Sequence, residues 1–174
     1  MSNYLIPLMV VVPMLCAILV NAFAKFNKSI KVLTFVVAIC LPIIPLLSNY
    51  GLHFFGGYTP MLDNATGVIY HPAITYAFDM LQQIFIAAVG LITFLVAFIY
   101  LSKYKKASGQ YLFLLFMGTA SVTALMLTDD IFNMFVFFEI LALVQVGIVI
   151  ASPMDYSYER ALKYMILGSI GSPI

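Results

Sequence analysis

IFNMFVFFEILALVQVGIVIA, Ile131 to Ala151, runs 21 residues with a single formal charge, Glu139, near its centre. A helix of that length is about 31 Å long at 1.5 Å per residue, and the hydrocarbon core of a bilayer is about 30 Å thick. The stretch therefore predicts a membrane-spanning helix. A carboxyl at mid-membrane costs about 2.5–3.5 kcal/mol on insertion scales, and such groups face a bundle interior, a water-filled cavity or an ion path. Glu139 has only apolar neighbours on its own helical face: Phe135, Val136, Ala142 and Leu143 at three and four residues, Phe132 and Val146 at seven. Asn133 and Gln145 are six residues away, about 120° around the helix. Its charge state depends on what stands opposite it from elsewhere.

The rest of the chain fits a membrane setting. It is 64% hydrophobic and 9% charged, with mean hydropathy +1.08; soluble domains carry about 25% charged residues. A net charge of +1 gives no basic footprint for nucleic acid. Cys16 and Cys40 each lie within an apolar run and read as packing residues. No spacing of Cys or His suggests zinc, haem or an iron–sulfur cluster, and no glycine-rich phosphate loop is present, so no cofactor is expected. The N-terminal run precedes Ala22-Phe23-Ala24, as in a signal peptide. It lacks a leading Lys or Arg and exceeds a usual signal core, so a retained first helix is expected.

The sequence predicts an all-α fold, a polytopic transmembrane helix bundle forming a single membrane domain over 1–174. Five full spans fall at 4–24, 32–47, 80–101, 111–128 and 131–151, and a partial sixth at 161–174. Pro42 and Pro45 predict a loosened end to the second span. Pro7 and Pro13 mark an opening turn or bend in the first. Lys25, Lys28 and Lys31 fill the first connection; Lys103, Lys105 and Lys106 the third; Arg160, with Lys163 beyond it, the fifth. The second, 48–79, has no Lys or Arg, and the fourth holds Asp129 and Asp130. Positive charge thus alternates with each crossing, which places the N-terminus outside and loops 25–31, 102–110 and 152–160 in the cytoplasm of a plasma-membrane protein. In the outer loop, Gly56-Gly57 and Asp63-Asn64 are turn signals, and GVIY and AITYAF are strand-like, so a short β-hairpin is expected. Its His53 and His71 lack a third ligand, and no metal site is expected.

Several polar residues compete for functional roles. Lys163, about two residues into the sixth helix, is either a lysine reaching the headgroups or a cation at the inner mouth of a polar path. Asp79, Asp129 and Asp130 precede helices and read as caps or as an acidic outer mouth. Ser121, Thr123 and Thr128 suit contacts between helices. Phe132, Phe135, Phe137 and Phe138 form an aromatic cluster suited to lipid or core packing.

The run TDDIFNMFVFFEIL, residues 128–141, resembles the fifth-helix signature of antiporter-like membrane subunits. That family includes Mrp-type cation/proton antiporters, complex I subunits, and archaeal membrane-bound hydrogenases and sulfane reductases. FFGGYTP (54–60), AITYAFDMLQQIF (73–85) and ALKYMILGS (161–169) are similar to further family elements in the expected order, and the spelling around Glu139 leans toward the Mrp D-type subunit and its hydrogenase-type relatives. The resemblance implies that Glu139 pairs with a lysine on a broken seventh helix, that the pair drives proton movement, and that Lys163 lies on the route from the cytoplasm. It also implies about fourteen helices in two inverted repeats. Here the seventh helix and its lysine are not encoded, and Asp-Met-Leu-Gln replaces the family's Asp-Gly-Leu-Ser after position 78.

Two functions are expected from these readings. The first is a proton- or cation-translocating subunit, or the N-terminal part of one, in a multisubunit membrane complex, including a redox-driven ion-pumping oxidoreductase. Other membrane subunits would surround it in the bilayer, and a partner segment would supply the mid-membrane Lys. The alternative is a structural subunit that seals or scaffolds such a complex. A quinone-binding redox enzyme ranks below both because no cofactor motif is present.

Overall fold

The computed structural model describes residues 5–23, 27–49, 51–63, 67–104, 108–151, 159, 161–163, 165 and 166. The chain is mostly helical, with one antiparallel hairpin among the described residues. In order come α1 (Leu5–Ala22), α2 (Asn27–Leu47), β1 (Leu52–Asp63), β2 (Gly67–Phe78), α3 (Met80–Lys103), α4 (Gly109–Leu127) and α5 (Ile131–Ala151). α2 to α5 are each long and apolar enough to cross a membrane, and α1 is a shorter apolar helix. The described residues beyond 158 are helical, and the rest of the sixth segment lies outside the described residues.

The helix ends lie within one or two residues of the sequence reading except at the start of α2. α2 starts at Asn27, so Lys31 stands inside its opening turns rather than in a loop. Its long stem allows this, because the ammonium reaches the Tyr104 carbonyl at 3.3 Å at the end of α3. The end of α2 at Leu47 agrees with the sequence reading, and Pro42 and Pro45 sit inside the helix. The last turn is held from outside, where the Gln83 amide of α3 donates to the Pro45 and Ser48 carbonyls at 2.9 and 3.0 Å.

The hairpin is longer than expected. β1 and β2 have 12 residues each and pair from Leu52↔Phe78 to Asp63↔Gly67. Gly56 and Gly57 are therefore strand residues and not a turn; the chain reverses between Asp63 and Gly67. A two-stranded sheet has only edge strands, so Pro60 and Pro72 are tolerated within it.

α4 is the central helix, packing against α1, α3 and α5, while α2 packs on α3. Two apolar clusters stack along the bundle. At the hairpin end, Ile6, Met9 and Val10 of α1 meet Phe78, Ile86 and Leu127, with Phe54, Tyr76 and Phe137 against them. At the opposite end, Ala17, Val20, Ile30, Val37, Leu112 and Phe116 pack together. Tyr100 stacks there on Tyr111 with ring centroids 4.2 Å apart, and its hydroxyl accepts from the Ser108 N–H at 3.0 Å. Tyrosines of this kind favour a membrane interface.

Buried hydroxyls join α3 to α4. Thr93 Oγ1 and Thr119 Oγ1 are 2.9 Å apart, and each also lies within hydrogen-bond reach of the carbonyl four residues back in its own helix. Bonds between membrane helices average about 0.6 kcal/mol in double-mutant cycles. Thr93→Val and Thr119→Val should each destabilise the bundle modestly, and a cycle measured by detergent unfolding should give a coupling of about 0.6 kcal/mol.

Candidate functional site

Glu139 lies in the middle of α5, a helix on which Val144 is the one buried residue. Val144 packs toward Gly118 of α4, where an added Cβ would approach Val144 Cγ1 to 3.2 Å. Phe137 packs against the hairpin-end cluster. Glu139 is two residues from Phe137 and five from Val144, about 160° and 140° around the helix at 100° per residue. Its partly exposed side chain is thus turned from the side of α5 that carries Phe137 and Val144. Phe135, Phe138 and Leu143 on the outward side are more than half exposed, and Gln145 is exposed as well. The aromatic cluster read from sequence is therefore divided, with Phe137 inward and Phe132, Phe135 and Phe138 outward.

The start of α5 is built by its cap and by the hairpin. The Asp130 carboxylate accepts from the Phe132 and Asn133 N–H groups, both at 3.3 Å, satisfying the first donors of the helix. The Asp129 N–H donates to the Thr75 carbonyl of β2 at 3.1 Å, and Tyr76 and Thr128 form a bridge beside it. The Asn133 amide then donates to the Tyr76 hydroxyl at 3.1 Å and to Thr128 Oγ1 at 3.0 Å. Asp79 opens α3 with a capping box in which its N–H donates to Gln82 Oε1 at 3.2 Å. Asp79 and Asp130 are thus engaged as helix caps.

The angle from Asn133 to Glu139 and its place one turn beyond Asp129 and Asp130 are local, whereas its tie to Tyr76 spans 57 residues of chain. Tyr76→Phe should loosen the hairpin from α5, with a loss of about 1 kcal/mol in local stability. Faster amide hydrogen exchange at 129–133, with α3 unchanged, would report it.

Lys163 lies on the helical residues beyond 158. Its ammonium pairs with Glu159 at 2.7 Å, one turn earlier, and both side chains are largely exposed. The sequence reading overlooked Glu159, although the Glu-to-Lys spacing of four residues is a standard helical pair.

The apolar helices of the bundle define a multi-pass membrane protein. Over 170 residues, 98% of its length, the chain is 22% identical to the D-type subunit of the Na(+)/H(+) antiporter of Alkalihalophilus pseudofirmus. It is 36% identical over 172 residues, 99% of its length, to an uncharacterized protein of Methanocaldococcus jannaschii. Each match covers 34% of the relative, so the chain spans about a third of the length of these proteins. The chain thus has partial homology, over the N-terminal third, to the D-type antiporter subunit. In fold it matches a chain of the membrane-bound sulfane sulfur reductase, an archaeal respiratory membrane complex, with TM-score 0.75 and 23% identity over 98% of this chain and 35% of that one. No protein-family model matches it.

Proposed function

We propose that this chain forms the first part of a proton- or cation-translocating, antiporter-like subunit in a multisubunit membrane complex, with Glu139 as its protonatable centre. The observation that carries this reading is the direction of Glu139. It lies mid-helix, on the side of α5 opposite Phe137 and Val144. The similarity to the D-type antiporter subunit along almost the whole chain supports it. α1 to α5 cross the plasma membrane from an outer N-terminus, with the hairpin outside. Lys163 stands at the inner mouth and Asp129 at the outer one. Other membrane subunits cover the outward side of α5, and one segment supplies a mid-membrane Lys.

The test is ion flux in proteoliposomes of the full assembly carrying Glu139→Gln. Loss of coupled transport with normal assembly supports translocation. Unchanged flux with altered stability returns the chain to a scaffolding role.

A further inference from the structure

A small, partly open pocket lies between α1, α2, α3 and α4, toward the hairpin end. Met9, Pro13, Leu41, Pro45, Thr119 and Thr123 are among the residues that line it. Two prolines on this wall belong to different helices. Proline has no N–H, so each leaves the carbonyl four residues earlier without its regular donor. For Pro13 that carbonyl is Met9; for Pro45 it is Leu41. Both Met9 and Leu41 line the same pocket. Two helices with a missing rung therefore border one pocket, and the facing helix α4 brings two buried hydroxyls, Thr119 and Thr123.

Carbonyls left unsatisfied in hydrocarbon cost several kcal/mol each. The remedy has to fit the space. The pocket has about 20 Å³ open to the centre of a water-sized sphere, and one water needs about 10–15 Å³ by that measure and two to four polar partners. We propose that the pocket is a built site for one structural water, bonded to the Met9 and Leu41 carbonyls and to Thr123. The water donates one hydrogen to each carbonyl. It accepts the Thr123 hydroxyl, which otherwise bonds back to the Thr119 carbonyl at 2.8 Å. One water thus joins α1, α2 and α4 where two of them have lost a rung.

Radiolytic footprinting of the full chain in its membrane assembly tests this, since hydroxyl radicals formed from a bound water oxidise the side chains beside it. Met9 is buried, and Met14, one turn and a residue further along α1, is only partly so. Met9 is expected to oxidise faster than Met14 despite its burial. Thr123→Val should lower the Met9 rate several-fold, as should the double variant Pro13→Ala, Pro45→Ala, which returns both N–H donors. Met9 labelling no faster than Met14, or labelling unchanged in whichever variant assembles, would overturn the site. A density map fine enough to show waters decides it again: a peak within hydrogen-bond distance of both carbonyls supports the proposal, and an empty pocket refutes it.

Discussion

Coupled ion movement is expected to fall to the level of membranes lacking the protein when Glu139 becomes Gln. The two side chains have nearly the same shape, and Gln keeps an acceptor and gains donors. What it loses is the proton that Glu takes up and releases. Glu139 is partly exposed on the side of α5 opposite Phe137 and Val144, so the amide should not disturb the contacts of those two residues. Assembly should therefore stay intact while flux is lost. Glu139→Asp keeps the titrating group but draws it back by about 1.5 Å, one carbon–carbon bond. It should retain part of the flux, since geometry and not charge alone is then at fault. Full flux in Glu139→Gln alongside a large drop in stability would reverse the assignment.

The largest structural effect is expected at Gly90. There α3 meets α2 backbone to backbone. A Cβ on Gly90 would stand 2.6 Å from Pro42 N, 2.8 Å from Leu41 C and 2.9 Å from Pro42 Cα. No rotamer change relieves contacts with backbone atoms, so the helices must separate. Gly90→Ala should cost about 1–3 kcal/mol, the usual range for overpacking, and Gly90→Val more. Gly147 supplies the comparison. Its added Cβ would meet the ends of the Leu114 side chain, at 2.9 and 3.1 Å, which can swing aside. Detergent unfolding should show Gly147→Ala close to the parent and Gly90→Ala well below it. Equal losses at the two glycines would mean that α2 can shift along α3 without penalty.

The contrast between these residues shows what a one-dimensional reading can hold. Long apolar runs specify membrane helices because each must satisfy its own backbone in hydrocarbon, so α3, α4 and α5 were legible from composition and length. Glu139 was legible for the same reason, as a charge where charge is expensive. The helical angle between Glu139 and its neighbours is likewise a property of the chain alone.

Which way that angle points is not. Val144 against α4 and Phe137 against the hairpin-end cluster fix the rotation of α5, and only then does Glu139 have a direction. The tie from Tyr76 to Asn133, the approach of Gly90 to Pro42, and the one pocket bordered by both Pro13 and Pro45 are long-range in the same way. Local chemistry chose the elements and placed a carboxyl in the membrane. Packing among α1, α2, α3 and α4 decided which prolines share a space, and packing of α5 decided where the carboxyl faces, because those contacts depend on residues far apart in sequence.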